Sequence, residues 1–182
     1  FRDFEVKRYL YVNTSCETLT CLELSTAAEN EGSENTIANS GLTWFIDNYT
    51  RTQIYNPPPT LISPGDPNDN SIVIKINYDQ NNFLLTGDCE NACEQAMIST
   101  QKNLMSNVLK VSHHGSNTGT SKEFLDLVTP EYAVISVAAS NSYGHPSKEV
   151  LTRLIDTKIL RTDELGTIII KSDGTNLEVD TI

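Results

Sequence analysis

Three short apolar runs in this 182-residue chain each lead into a glycine-flanked loop that carries a titratable side chain. Leu84-Leu85-Thr86-Gly87-Asp88 stops on an aspartate. Val108-Leu109-Lys110-Val111-Ser112-His113-His114-Gly115-Ser116 stops on two histidines. Val134-Ile135-Ser136-Val137 leads through a loop into Asn141-Ser142-Tyr143-Gly144-His145-Pro146. Short apolar runs bounded by turn signals read as buried strands. A strand that ends this way fixes its polar residue while the loop leaves it open to substrate. All three histidines of the chain lie in these motifs. A carboxylate with imidazoles is a donor set that suits zinc, manganese or iron. Each residue alone has a plainer reading: Asp88 as a turn or helix-cap aspartate, His113 and His114 as surface or core histidines. Together, with glycine beside each polar group, they favour a site.

The residues between the motifs supply a layered fold. Ile72–Ile76 and Phe83–Leu85 flank a polar turn over 78–82, which predicts a hairpin. Glu90–Ser99 has helical character, with Ala92, Ala96 and Met97 on one face. Ser121 and Ser147 are helix caps, followed by inward-facing Phe124, Leu125 and Val128 in one helix and Val150, Leu151 and Leu154 in the other. Tyr132–Val137 is a buried strand, and Lys158–Arg161, Thr167–Lys171 and Leu177–Thr181 are closing strands. Residues 13–70 are rich in Thr, Asn, Ser and Glu and contain Pro57-Pro58-Pro59 and Pro64-Gly65-Asp66-Pro67. They read as irregular, with a few short strands and a short helix near Ala27–Ala28. The expectation is one domain over 1–182, irregular over 1–70 and with its core motifs over 71–182, of α/β or α+β layered class.

Thirteen Lys and Arg stand against 24 Asp and Glu, a formal net charge of −11. That balance argues against a broad electrostatic grip on nucleic acid, though not against a strand held by a metal or another domain. No apolar run approaches the roughly 18 residues of a membrane span. The cysteines form two close pairs, Cys16/Cys21 and Cys89/Cys93, neither with zinc-finger spacing. Two local disulfides in an oxidising compartment, or free thiols in a cytosolic protein, both satisfy that spacing. The sequons Asn13-Thr14-Ser15 and Asn48-Tyr49-Thr50 lean slightly towards the outside. The first residue is Phe1, which suggests a chain cut from something longer.

The run Asn68-Asp69-Asn70-Ser71-Ile72-Val73-Ile74, then LLTGD, VLKVSHHGS, Pro130–Ser136 and NSYGHP, resembles one branch of the metallo-β-lactamase fold. That branch holds the hydrolase domain of ComEC-type competence DNA-uptake channels and the phosphorylcholine esterases. The resemblance covers residues 56–182 well and the first fifty-odd weakly. It implies an αββα sandwich, mainly its C-terminal half, with a site for two divalent ions, zinc first and manganese or iron as alternatives. By position, Asp88 matches a carboxylate that bridges the metals, and His114 or its neighbour His113 matches a ligand of the second. His145 matches a ligand or a group that binds and protonates a phosphate oxygen. Asn68 and Asn70 lie where other branches of the fold place a further histidine ligand and, since an amide substitutes poorly for imidazole, count as candidate substrate contacts; Ser116 is a candidate lining residue of the substrate mouth.

The family's His-x-His-x-Asp-His motif is missing from this sequence. The ligand set is therefore incomplete, and an N-terminal segment or second chain would have to complete it; otherwise the site is vestigial. The resemblance implies metal-assisted hydrolysis of a phosphodiester, either DNA or a phosphorylcholine-type ester, at the cell surface or outside it, with the cytoplasm as the alternative. A second reading is a non-catalytic scaffold or cell-surface assembly subunit that kept the fold. A third, a lactonase or β-lactamase, fits the HHGS and GHP pair less well.

Overall fold

In the computed structural model, which describes residues 5–15, 18–62 and 66–182, seven strands form one sheet in the order in which the chain makes them. The chain begins with β1 (Arg8–Tyr11), α1 (Leu19–Glu31) and β2 (Glu34–Ile37). The large sheet then runs β3 (Thr43–Phe45), β4 (Thr50–Asn56), β5 (Val73–Tyr78), β6 (Asn81–Leu85), β7 (Val108–Lys110), β8 (Tyr132–Ile135) and β9 (Lys158–Arg161). Neighbours from β3 to β6 are antiparallel, and neighbours from β6 to β9 are parallel. Parallel neighbours need crossovers, supplied by α2 (Asn91–Ser99), α3 (Lys122–Val128) and α4 (Lys148–Arg153). Right-handed crossovers between successive strands place all three helices on one face.

That face is the core. Val73, Leu84, Leu109, Val111, Ala133 and Ile135 meet Cys93, Met97, Phe124, Leu125, Val128, Val150 and Leu154 from the helices. Each fully buried large side chain contributes about 1.5–3 kcal/mol. The helix starts follow local chemistry: Ser121 Oγ accepts the Phe124 N–H and Ser147 Oγ accepts the Val150 N–H, each at 3.2 Å. On the opposite face Thr52, Ile54 and Val108 are buried, Ile74, Ile76 and Phe83 are half-buried, and Leu85 is exposed. After α5 (Thr162–Leu165), β10 (Ile168–Ser172) and β11 (Leu177–Thr181) form an antiparallel ladder, and β1 and β2 form a parallel one.

The α/β layering is as expected. Among the described residues, however, there is one large sheet with a helical layer, and the remaining strands form two small ladders. Three local readings need correction. Among the described residues of 1–70 regular structure is more extensive than expected: β4 has seven residues, pairs with β5 and buries Thr52, Ile54, Tyr55 and Asn56. Its sequence, TRTQIYN, is polar because the buried amide of Asn56 is used, donating to the carbonyls of Asp69 and Ser71. The helix near Ala27–Ala28 is α1, thirteen residues long, capped by Thr18 and ended by Gly32 in the left-handed region. In α2, Ala92 is exposed, and Glu94 is buried beside Cys93 and Met97. The Glu94 carboxylate accepts the Thr120 and Ser121 N–H groups, which offsets a burial that apolar periodicity would never suggest. Burial still raises its pKa.

The expected cysteine pairs fare differently. Cys89 and Cys93 form a disulfide, with their Cα atoms 5.5 Å apart. Cys21 lies in the first turn of α1, where its N–H donates to Thr18 Oγ1 at 3.2 Å. It too is disulfide-bonded, so the free-thiol alternative does not hold for Cys21, Cys89 or Cys93. Cys16, the partner expected for Cys21, lies outside the described residues.

Candidate functional site

Because β6, β7 and β8 are parallel and in register, the loops that follow them emerge side by side at one edge of the sheet. Glycine then lets one loop dock on the next. Gly87 has φ +56°, and a Cβ there would sit 3.3 Å from Ser71 Cβ. Its carbonyl accepts the His113 N–H at 3.1 Å, while the Ser71 hydroxyl accepts the Asp88 N–H at 3.2 Å. Gly115 has φ +84°, and a Cβ there would lie 2.6 Å from Pro146 Cβ. The Gly115 carbonyl accepts the Ser147 N–H at 2.9 Å, which seats the third loop on the second.

His113 and His114 lie in a 3-10 turn over Ser112–Gly115, and both have left-handed backbones, at φ 44° and 54°. For residues with a Cβ this costs roughly 1–2 kcal/mol each. The two side chains are held apart. His113 Nδ1 is 2.9 Å from Glu90 Oε1, which also accepts from the Asn68 amide at 3.2 Å. His114 Nδ1 is 2.7 Å from the Ser136 carbonyl oxygen, and its Nε2 is 3.6 Å from Asp88 Oδ1. A carbonyl only accepts, so His114 Nδ1 carries a hydrogen, and in the neutral ring Nε2 presents a lone pair. The geometry therefore pairs His114, not His113, with Asp88.

His145 closes the group, its ring 6.0 Å from that of His113. Asn141 brackets it, accepting the His145 N–H at 3.0 Å and donating to the His145 carbonyl at 2.8 Å. Burial, followed by the neighbouring His113 and His114, lowers its pKa below 6.5. A cavity of about 170 Å³ opens beside it, lined by His114, Val137, Ala138, Asn141, Tyr143 and His145. Burial also lowers the pKa of Lys110, with the Asp88 charge opposing the shift. The Cys89–Cys93 disulfide ties the Asp88–Glu90 turn to the first turn of α2.

Asp88, His113, His114 and His145 are thus brought together, but two expected substrate contacts are not. Asn70 is buried and holds its own loop, accepting from Ile62 N–H and donating to the Asp66 carbonyl. Ser116 is buried and hydrogen-bonded to Thr118. Short polar loop residues satisfy local backbone more readily than they reach a ligand. Sequence reasoning missed Glu90, which reads as a helix-start residue, and Tyr143, whose one signal is its place beside His145. Among the described residues no three His, Cys, Asp or Glu side chains converge to hold a metal ion. Asp88 and His114 supply two donors, whereas catalytic zinc takes three protein ligands and structural zinc four. The described residues do not fit a complete metal centre.

No protein-family model matches the chain. It is similar to ComE operon protein 3 of Bacillus subtilis, 38% identical over 112 residues, which covers 60% of this chain and 14% of that protein. Competence protein ComA of Neisseria gonorrhoeae is 40% identical over 106 residues, covering 57% and 15%. Recombination protein 2 of Haemophilus influenzae is 35% identical over 135 residues, covering 73% and 16%. The chain spans only 14–16% of the length of these relatives. A solved structure from Parabacteroides distasonis, provisionally named a metal-dependent hydrolase, overlays with a TM-score of 0.48 at 12% identity, covering 85% of this chain and 76% of that one. The sequence relatives link the chain to competence-type proteins. No helix of the described residues is long and apolar enough to cross a membrane.

Proposed function

We propose that the chain carries half of a phosphodiester-hydrolysing site in a competence-type protein, and that donors from another segment or chain complete it. The observation that carries this reading is the facing of Asp88 Oδ1 and His114 Nε2 across 3.6 Å. With Nδ1–H committed to Ser136, a neutral His114 aims a lone pair at a carboxylate. In the neutral ring two acceptors then face each other, an arrangement that a cation between them satisfies. The cell-surface side suits the Cys89–Cys93 disulfide, the bonded state of Cys21 and the competence-type relatives.

The chain's own residues then have distinct parts. Glu90 holds His113 and keeps its Nδ1 from the substrate side. His145, its pKa lowered, is neutral at pH 7 and offers a ring N–H to a non-bridging phosphate oxygen as charge develops there. Divalent zinc, with manganese or iron as alternatives, is the ion proposed for the completed site. DNA is the proposed substrate, ahead of a phosphorylcholine-type ester.

The test is elemental mass spectrometry and diester cleavage on the full chain, wild type against Asp88→Asn. The expected outcome is loss of bound metal and of activity together, with activity down at least about a hundredfold. Unchanged cleavage in Asp88→Asn would overturn the assignment. The incomplete donor set also favours a second reading, a non-catalytic scaffold. A wild-type chain that binds no metal and cleaves no diester even when the segment or chain that completes the site is supplied would select it.

A further inference from the structure

Tyr143 is 81% exposed although it sits in an ordered loop next to a site residue. Its ring runs nearly parallel to the His145 ring in an offset stack, with centroids 5.8 Å apart and planes 16° apart. The loop beneath it is pinned by the paired Asn141–His145 hydrogen bonds and by the Gly115–Pro146 contact. An aromatic ring held flat with its outer face uncovered gains little from folding. It is preorganised for a planar partner, because ordering it on binding costs little further entropy.

We infer that Tyr143 is a stacking platform for an unpaired nucleobase, so that the strand handled at this site is single-stranded and is gripped by its bases more than by its phosphates. This rests on the phosphodiester reading above and narrows its substrate class. The adjacent cavity, about 170 Å³, falls below the 300–1,000 Å³ usual for drug-sized ligands and suits one ring system. Its walls hold no carboxylate and no Lys or Arg, and Tyr143 is its one aromatic lining residue besides the histidines. A quaternary ammonium group is recognised by an aromatic cage, which a single platform does not make. The net charge of −11 leaves little general attraction for phosphates. Stacking is independent of that charge and tolerant of base identity.

The test is fluorescence anisotropy with a labelled oligothymidylate and an abasic strand of equal length, using the full chain as wild type, Tyr143→Phe and Tyr143→Ala. Tyr143→Ala should weaken oligothymidylate binding about tenfold or more, and Tyr143→Phe should stay within about twofold of wild type. The abasic strand should bind weakly and be indifferent to Tyr143→Ala. Equal wild-type affinity for the two strands would overturn the inference, as would unchanged oligothymidylate binding by Tyr143→Ala. Equal losses on both strands would also overturn it, since Tyr143 would then only prop the loop. Cleavage of bis(p-nitrophenyl) phosphate, a diester without a nucleobase, separates the two readings. If it is cleaved while Tyr143 proves indifferent, the stacking role alone falls. If it is not cleaved, the hydrolase reading falls and the anisotropy still judges the platform.

Discussion

The two halves of the large sheet are built differently, and one of them carries the chemistry. In the parallel half, β6 to β9, successive strands point the same way, so their following loops collect at one edge. In the antiparallel half, β3 to β6, successive strands point opposite ways and their loops are divided between two edges. The cores differ as well. The parallel half packs Leu109, Val111 and Ile135 against Phe124 and Val128. The antiparallel half buries polar groups, among them Thr52, Asn56 and Lys75, whose Nζ donates to the Asn103 and Met105 carbonyls at 2.8 and 2.7 Å. Parallel strand direction gathers loops without any residue being chosen for that purpose; apolar packing then makes the gathering stable.

The largest way to break this contrast is Phe124→Ala, which should cost about 3–5 kcal/mol in chemical denaturation. Hydrogen exchange would sharpen it. If the halves are separable, β7 and β8 amides should lose protection before those of β4 and β5. Uniform loss would show one cooperative unit instead. A smaller effect, about 1–3 kcal/mol, is expected for Gly115→Ala, because a side chain at φ +84° and 2.6 Å from Pro146 must push the His145 loop away. The proton resonances of His113 and His145 should shift, while those of Lys75 and Tyr55 stay put. Movement of both sets would mean that the halves are coupled.

A further expected effect is a pH dependence confined to the antiparallel half. Burial, helped by the Arg51 charge, lowers the pKa of Lys75 to about 8 from 10.5. Below about pH 8 the folded and unfolded chains are both protonated there, and the folded state carries the cost of a buried charge. Between about 8 and 10.5 the unfolded chain binds more protons, so this group makes stability rise with pH through that window. Urea unfolding at pH 7.5 and pH 10 should show a contribution that Lys75→Met removes. The same slope in the variant would mean that other groups cause it.

Much of the parallel half is legible in the sequence. Strands form within the apolar runs 83–85, 108–111 and 132–137, ending at Leu85, Lys110 and Ile135, and Ser121 and Ser147 cap the helices expected of them. Strand β4 is not legible, because the partners of its buried Asn56 amide N–H groups, the Asp69 and Ser71 carbonyls, lie more than ten positions away. Glu94 escapes for the same reason, its donors being 26 and 27 residues distant. Asn70 and Ser116 look like ligand contacts until their local backbone partners are seen. The cysteine spacing left thiol and disulfide both open, and only the structure gives Cys21, Cys89 and Cys93 as bonded.

Which residues stand at the ends of buried runs is written in the primary structure: Asp88, His113, His114 and His145 follow such runs and sit beside glycines. That information is local, since a cap, a turn or an apolar run is written within a few positions. How they pair is set by the folded molecule. Two adjacent histidines with left-handed backbones send their rings in different directions, so His113 meets Glu90 and His114 meets Asp88. The tertiary structure also decided that Tyr143 stacks offset against His145 and stays exposed. Such choices depend on how three loops dock on one another, and no spacing along a chain records an angle between loops.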